Sequence, residues 1–238
     1  MSLLTNILSY WKLDEASGNA SDSVGSNTLT NVNTVGYAPG LINNGADFGT
    51  SNTNKTLSRS GLIGTDGPRS ISIWARMRTE IGSGQQAFFG FATESTSLEL
   101  LYEFNGGTRR MRFLRQRNAN PLVDIFTNIT IGTSVLSHFV CTYDGSEMIL
   151  YVNGSASAPV AASGNGTGNW SPGGGFVAVG SSVDANTGVA VSHSSTLIDE
   201  VGVWSRALTA AEVTTLYNGG AGLSYPFSQS NSRFFALM

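Results

Sequence analysis

Three aspartates are the residues of this sequence whose types and spacing could bind a metal ion. Asp14 and Asp22 lie in a Gly- and Ser-rich stretch after the first apolar segment, and Asp199 lies in an apolar segment near the end of the chain. If those two segments are neighbouring strands, the three carboxylates gather at one rim of the domain. Oxygen ligands of this type suit calcium. The alternative is that the same side chains accept backbone hydrogen bonds in turns, as Asp commonly does.

Polar and aromatic side chains in two loops are candidates for ligand binding. Trp170 stands in a run of small residues, where a large ring is either a platform for a ligand or a plug on the sheet edge. Asp184, Asn186 and His193 belong to a long segment that precedes the last predicted strand. Long loops in compact domains are often functional or mobile. We therefore predict that these side chains contribute to a ligand site.

A basic segment follows a predicted hairpin turn. The Gly-Gly pair at 106–107 predicts a two-residue turn that places Glu103 opposite Arg110. Arg110 and Arg112 would then form a strip that docks a partner, because arginine suits carboxylate and sulfate groups. The alternative is a solvated strand whose charges are balanced by the glutamates of the preceding strand.

The end of the chain predicts a second docking element. Residues 227–238 form a polar spacer that ends in Phe234, Phe235 and Leu237. Apolar side chains gain free energy only when they are covered. These three residues are predicted either to dock on a neighbouring subunit or host assembly, or to pack back on their own domain.

Patterns that indicate catalysis are missing from the sequence. A retaining glycosidase needs two carboxylates about 5–5.5 Å apart, but the sequence offers only the adjacent Asp199-Glu200 and the isolated Glu99 and Glu103. It also has no Gly-x-Ser-x-Gly elbow, phosphate loop or zinc-ligand spacing. We therefore expect a protein that is not an enzyme.

The elements that must position these residues are mainly strands. Residues 8–14 are predicted as the first strand and residues 196–204 as the last, paired near each other. Alternation at period two places four residues of the last strand on one apolar face: Leu197, Asp199, Val201 and Val203. Residues 70–77 alternate as well, with Ile71, Ile73, Ala75 and Met77 on one face. A short helix follows the last strand, with Thr209 as N-cap, Glu212 completing a capping box and Gly219 at its end.

The composition favours a folded chain and excludes two classes of partner. Of the 238 residues, 40% are hydrophobic and 12% are charged, and 29 glycines suit many turns between short strands. A net charge of −3 gives no general attraction to nucleic acid or to an anionic membrane. The N-terminal residues have no signal-peptide pattern, and no apolar run is long enough for a membrane span. Cys141, the single cysteine, is predicted to be a buried core residue.

Three segments resemble laminin G-like domains of the concanavalin A-like lectin/glucanase superfamily. They are Tyr10–Gly18, His138–Gly154 and Ile198–Asn218. The resemblance implies an all-β, concanavalin A-like jelly-roll sandwich of two antiparallel sheets with one short helix near the C-terminus. It also implies a domain over residues 1–226 followed by a tail over 227–238, and some members of the family bind calcium at a rim. The fold hosts many unrelated functions, so the resemblance alone does not give one.

Two kinds of function remain open at this point. The chain could be a non-catalytic module that binds a surface polysaccharide or glycan, or a structural protein fixed to an assembly. The segment Leu8–Gly18 resembles the version of this domain found in bacteriophage structural proteins, which need no export signal. We therefore expect a virion surface protein, made in the host cytoplasm, that is homo-oligomeric or bound to other virion proteins. The alternatives are a structural protein without a glycan ligand and a cellular carbohydrate-binding module, located in the cytoplasm or outside the cell after lysis.

Overall fold

The computed structural model describes residues 2–51, 54–61, 67–93, 96–117, 123–162, 175–184 and 189–228. The strands of the first half are β1 Ile7–Trp11, β2 Thr30–Val32, β3 Gly36–Pro39, β4 Asn44–Asp47, β5 Thr56–Ser60, β6 Arg69–Met77, β7 Gly84–Thr93, β8 Thr96–Asn105 and β9 Thr108–Arg117. Those of the second half are β10 Val123–Asn128, β11 Ser137–Tyr143, β12 Glu147–Val152, β13 Ser155–Ala156, β14 Val160–Ala161, β15 Phe176–Val179, β16 Ser182–Val183, β17 Ala190–Val191 and β18 Thr196–Trp204. The helix α1 spans Ala210–Tyr217 and continues into a 3-10 turn, Asn218–Gly220. Within these residues, no helix has the length and apolar character needed to cross a membrane.

The strands form two antiparallel sheets. The first has the order β13-β12-β11-β6-β18-β4-β3, and β1 pairs with β18 while β14 pairs with β12. The second has the order β10-β9-β8-β7-β15-β5-β2. The short strands β16 and β17 pair only with each other among the described strands. This arrangement is the predicted all-β sandwich, and the pairing of β1 with β18 confirms that the first and last strands are neighbours.

The core lies between the two sheets and follows the predicted alternation. Ile71, Ile73, Ala75 and Met77 of β6 are buried in it, together with one face of the β8–β9 hairpin: Leu98, Leu100, Tyr102, Met111 and Phe113. Cys141 is fully buried in the same cluster, as predicted. Apolar burial of this kind stabilises a fold by about 25 cal/mol per Å² removed from water.

The β8–β9 hairpin has the predicted register. Gly106 and Gly107 both have positive φ, 56° and 83°, which the two-residue turn requires and which only glycine adopts freely. Glu103 therefore pairs with Arg110. Leu98, Leu100, Tyr102, Met111 and Phe113 face the core, whereas Glu103, Arg110 and Arg112 lie on the outer face together with Leu101 and Leu114. Arg115 is buried on the core side, with its guanidinium 4.5 Å from the centroid of the Tyr143 ring.

The predicted face of Asp199 is wrong. Glu200 has a φ of 50°, and the pairing of β18 with β6 shifts between Asp199 and Gly202. This bulge reverses the alternation. Ile198, Val201 and Val203 therefore face the core, whereas Asp199 pairs with Trp74 on the outer face of the first sheet.

The first strand is shorter than the predicted 8–14. It ends at Trp11, because Leu13 has a φ of 63° and turns the chain away from the sheet. Trp11 and Leu13 are nevertheless both fully buried in the core, as their spacing predicts.

The outer face of the first sheet is covered by α1, which has the predicted capping box between Thr209 and Glu212. Trp74 stacks on His138, with ring centroids 4.7 Å apart, and on Tyr217 of α1 at 5.8 Å. Burial lowers the pKa of His138 to about 3, so its ring is neutral. His138 is thus a structural strand residue, as expected.

The chain after α1 also covers the outer face of the first sheet. Phe227, which we assigned to the tail, packs edge-on against Tyr10 with a centroid distance of 5.2 Å. It also stacks against Trp204 at 6.2 Å. Packing on the domain therefore continues one residue past the predicted boundary at 226.

Candidate ligand groove

A groove lies on the outer face of the second sheet, between the β2–β5 pair and the β16–β17 hairpin. It consists of two adjoining clefts of about 360 and 500 Å³. Both clefts are lined by Val32, Thr56 and Ala190, so they form one continuous depression. Clefts of roughly 300–1,000 Å³ are typical of sites for small ligands.

The floor of the groove is a face of three neighbouring strands. Thr56, Ser58 and Ser60 of β5 alternate with residues that point to the other face. Thr30 of β2 pairs with Ser58, and Phe176 of β15 pairs with Ser60. The floor therefore carries a row of hydroxyl groups next to one aromatic ring.

The wall of the groove is apolar and is formed by the β16–β17 hairpin. Val183 pairs with Ala190 and packs on Ala92 and Ala178 of the sheet below. The next residue, Val191, is 39% exposed. Hydroxyl groups thus face an aliphatic surface across the groove.

Hydrogen bonds fix the wall to the sheet. The carbonyl of Gly180, which has a φ of 80°, accepts hydrogen bonds from the backbone N–H and the hydroxyl of Ser194 at 2.8 and 3.1 Å. The backbone N–H of Ser195 donates to Oε1 of Gln86 at 2.8 Å. On the floor, Oγ1 of Thr56 lies 2.8 Å from Oγ of Ser181. The wall is therefore held in place before any ligand arrives.

Amide and imidazole groups form one end of the groove. Asn33 donates from Nδ2 to the backbone carbonyl of Asn54 at 2.7 Å, and both residues have left-handed backbone conformations. His193 lies beside them, with Nδ1 at 3.2 Å from the backbone carbonyl of Lys55. Its other ring nitrogen makes no hydrogen bond within the described residues.

The structure brings part of the predicted ligand set to this groove. His193 lines it, and Asp184 belongs to the same hairpin, where its backbone N–H donates to the carbonyl of Val189 at 2.9 Å. Asn186 and Trp170 lie outside the described residues. The ligand role of all four stays a prediction.

The hydroxyl row of the floor was missed by sequence reasoning. Thr30, Ser58 and Ser60 look like ordinary solvent-facing strand residues, and only the tertiary structure shows that the β16–β17 hairpin stands beside them. Alternation of hydroxyl residues along β5 is the one signal that the sequence contains.

Each of the three aspartates predicted to bind metal accepts backbone hydrogen bonds. Asp22 accepts from the N–H groups of Tyr10, Val24 and Asn27 at 3.0–3.1 Å. Asp14 accepts from Asn44 at 3.3 Å, and Asp199 accepts from Leu41 and Ile42 at 2.7 and 3.1 Å. Among the described residues, no group of three or more His, Cys, Asp or Glu is placed to hold a metal ion. The turn-stabilising alternative is therefore present in the structure, and calcium binding stays a prediction.

Asp199 and Glu200 form a buried acidic pair under the covering layer of the first sheet. Oδ1 of Asp199 has no hydrogen-bond partner in the described part of the chain, and the hydroxyl groups of Tyr10 and Ser224 lie beside the carboxylate of Glu200. Burial raises the pKa of Asp199 to about 8 and that of Glu200 to about 7. The two side chains are fully covered, so they cannot serve as a catalytic pair for a ligand in the groove.

The arginine strip lies at the other end of the second sheet, on β9. Nε of Arg112 donates to Oδ2 of Asp124 at 2.6 Å. Arg110 is paired with Glu103, and its guanidinium lies 4.5 Å from the centroid of Phe126, which is 49% exposed. Carboxylates therefore balance this face, as the alternative interpretation states, and docking through Arg110 and Arg112 stays a prediction. Phe234, Phe235 and Leu237 lie outside the described residues.

The solved structures most similar in fold include binding domains. Domain 4 of AbnA, an extracellular family 43 arabinanase from Geobacillus stearothermophilus solved with arabinotriose, has 20% identity and a TM-score of 0.64, over 88% of this chain and 97% of that one. The binding domain of botulinum neurotoxin DC in complex with SialylT has 13% identity and a TM-score of 0.69, over 90% of this chain. A structure of botulinum neurotoxin type C, a toxin whose cell entry depends on interaction with two ganglioside molecules, has 12% identity and a TM-score of 0.69, also over 90% of this chain. The present chain spans 51% of each of these two toxin chains. These likenesses show the fold.

Sequence comparison gives the family. No curated protein sequence is significantly similar to the chain. A family model for laminin G-like domains, however, matches residues 48–214, which include strands of both sheets and most of α1. The chain belongs to the concanavalin A-like lectin/glucanases superfamily.

Proposed function

We propose that the protein is a non-catalytic module that binds polysaccharide in the groove between β2–β5 and the β16–β17 hairpin. The observation that carries this proposal is the pairing of a hydroxyl-lined floor with an aliphatic wall in a preformed cleft. A sugar ring has polar edges and apolar C–H faces, so it can use both surfaces at once. Among the described residues that line the groove there is no Asp or Glu, whereas glycoside hydrolysis usually needs two carboxylates.

The similar structures add support to this proposal. One was solved with arabinotriose and another belongs to a toxin whose cell entry depends on gangliosides. Sugar binding is therefore represented among solved structures with this fold. The fold alone does not fix a function, so the groove of this chain carries the proposal.

The experiment is a binding assay on a panel of bacterial surface polysaccharides and simple glycans with a variant that fills the groove. Ala190→Trp places a large ring between the wall and the floor, and should abolish binding without lowering the melting temperature. Ala158→Trp adds the same ring at an exposed position on the chain after β12, and should bind like the wild type. Equal binding by wild type and Ala190→Trp would contradict the proposed site, and no binding by the wild type to any glycan would contradict the function.

We also propose calcium as a cofactor, bound by the predicted aspartates and not by the residues that line the groove. Oδ1 of Asp199 is an oxygen of the predicted trio that lacks a partner within the described residues. The glycan assay should therefore be run with calcium and with excess chelator. Binding lost on chelation supports a calcium-dependent lectin, whereas a melting temperature raised by calcium without effect on glycan binding supports a purely structural ion.

We further propose that this module is part of a virion surface protein, as a decoration, fibre or tail component. The supporting observation is the resemblance of Leu8–Gly18 to bacteriophage structural proteins. Removal of residues 229–238 tests the assembly role, because it keeps Phe227 on its own domain. If the truncated protein binds glycan but no longer assembles, the two roles are separate. If assembly is unaffected, the tail has no docking role, and the arginine strip is tested next with Arg110→Ala and Arg112→Ala.

A further inference from the structure

We infer that the groove is selective for an uncharged polysaccharide whose chain lies along β5, with sugar hydroxyls on Thr30, Ser58 and Ser60. This inference rests on the proposed function, and it adds the chemical class of the ligand and the residues that select it. It follows from the direction of the groove, from which floor hydroxyls have no hydrogen-bond partner within the described residues, and from the placement of Arg59 away from the floor.

The direction follows from the two clefts. One reaches from the shared residues toward Ser60 and Phe176, and the other reaches toward Asn54 and His193. Alternate residues of a strand are about 6.6 Å apart, so the face from Thr56 to Ser60 of β5 extends over roughly 13 Å, and Asn54 and His193 continue the groove beyond Thr56. That length suits several consecutive sugar units of a chain better than a single terminal sugar.

The hydroxyl groups of the floor differ in whether another group of the protein is hydrogen-bonded to them. Thr56 is buried and its hydroxyl is hydrogen-bonded to Ser181, so it belongs to the structure of the floor. The hydroxyls of Thr30, Ser58 and Ser60 make no hydrogen bond within the described residues, and Thr30 and Ser60 are exposed. A hydroxyl can donate and accept, as sugar hydroxyls also can. These three are therefore the floor groups available for a glycan.

The apolar groups stand opposite and beside this row. Val183 and Ala190 form the wall, and Phe176 lies at one end of the floor. These side chains match the C–H faces of sugar rings while the ring edges face the hydroxyl row. A chain of sugars lying lengthwise can repeat this match at successive units.

The one cationic side chain of the described lining points away from the floor. Arg59 alternates with Ser58 and Ser60 along β5, and its guanidinium donates a hydrogen bond to Oδ1 of Asn27. Nδ1 of His193 lies 3.2 Å from the backbone carbonyl of Lys55. An acidic polysaccharide would need cationic groups free to pair with its carboxylates or sulfates, and the described lining offers hydroxyl and amide groups instead. An uncharged ligand avoids the desolvation of unpaired carboxylates.

The test compares neutral polysaccharides with uronic acid-containing and sulfated polysaccharides of similar length, at low and high salt. We expect saturable binding to at least one neutral polymer, with affinity unchanged by salt, because only charge pairs between exposed groups are screened. Thr30→Val and Ser58→Ala should each weaken this binding by about 3- to 10-fold. Thr130→Val, which removes an exposed hydroxyl between β10 and β11, is the matched control and should leave it unchanged.

The outcomes separate this inference from the proposed function. Binding that is confined to acidic polymers and falls with salt overturns the inference, while the function as a polysaccharide-binding module stands. Binding to neutral polymers that neither floor variant weakens overturns the assignment of the hydroxyl row. Absence of binding to every polymer overturns the proposed function, and the inference with it.

Discussion

Replacing Asp199 by asparagine should stabilise the protein at alkaline pH but not at mildly acidic pH. Asp199 is fully buried, and Oδ1 has no partner within the described residues. Burial raises the pKa of this carboxyl to about 8, against about 3.9 in an unfolded chain. The folded protein therefore binds the proton more tightly than the unfolded chain does. The resulting contribution to stability is complete below about pH 4 and is lost as the pH rises through about 8.

The magnitude follows from the difference in pKa. Each pKa unit corresponds to about 1.36 kcal/mol, so ionisation of Asp199 can remove on the order of 5–6 kcal/mol of the free energy of unfolding. The asparagine side chain of the Asp199→Asn variant cannot ionise, and its oxygen can still accept from the N–H groups of Leu41 and Ile42. Its amide nitrogen would replace Oδ1 without a partner, at a cost of about 1–2 kcal/mol at every pH. Near pH 5 the wild type has already lost about 1.5 kcal/mol, so the two proteins should differ by less than about 1 kcal/mol. Near pH 8.5 the variant should be more stable by about 3–4 kcal/mol.

Urea denaturation followed by tryptophan fluorescence, with chelator present, measures both differences. Asp144→Asn is the control, because Asp144 is exposed and three hydrogen bonds from Ser146 and Glu147 help hold its pKa below the usual range. Its carboxylate is ionised at both pH values, so its effect on stability should not change between them. A difference between wild type and Asp199→Asn that is the same at both pH values would refute the reasoning. If added calcium stabilises the wild type at alkaline pH but not Asp199→Asn, Asp199 is a metal ligand.

Two further substitutions test the supports of the groove and of the helix. Gly180→Ala should destabilise the fold by about 2–4 kcal/mol, because the added Cβ would lie 2.1 Å from the ring of Phe48 and the residue has a φ of 80°. Gly82→Ala is the control, since a Cβ at Gly82 would have no atom within 4 Å. Equal thermal stability of the two variants would contradict this prediction. Glu212→Gln should cost about 1–3 kcal/mol near neutral pH, since Glu212 accepts two hydrogen bonds of 2.7 Å from Arg206. Although burial opposes it, those bonds hold the pKa of Glu212 at about 2, so the stabilisation is present above about pH 4.3 and is lost as the pH falls through about 2. Denaturation at neutral and strongly acidic pH checks this, and a loss that persists in acid would contradict it.

The sequence predicts the local parts of this fold well, for reasons that lie in single segments. The β8–β9 register follows from a Gly-Gly turn, which requires positive φ at both positions. The start of α1 follows from Thr209 and Glu212, which satisfy backbone groups within one helical turn. Each of these signals acts between residues that are close in sequence, so no knowledge of the sheet order is needed.

The phase of β18 shows where such reasoning stops. Leu197, Val201 and Val203 alternate as a continuous strand would, but the left-handed conformation of Glu200 inserts a bulge after Asp199. Nothing in the residue types marks it, because non-glycine residues rarely adopt a φ of 50°. The bulge also places the carboxylates of Asp199 and Glu200 under the covering layer. Burial there raises their pKa values, and it keeps both groups away from a ligand in the groove.

The location of the groove depends on how unequally the two outer faces are covered. On the first sheet, α1 and the segment through Phe227 pack over the strands, and Trp74 stacks on Tyr217 in the space that a ligand would need. On the second sheet, the described residues of the β16–β17 hairpin, 182–184 and 189–191, cover β7 and β15 and stand beside β5 and β2. Strand order brings together the segments near residues 30 and 56, and the hairpin adds the segment near residue 190. No local signal in the sequence connects these three segments. A ligand that needs a preformed polar and apolar cleft therefore finds it at the edge of the hairpin, and residues that fix the hairpin, Gly180 above all, should influence binding without touching the ligand.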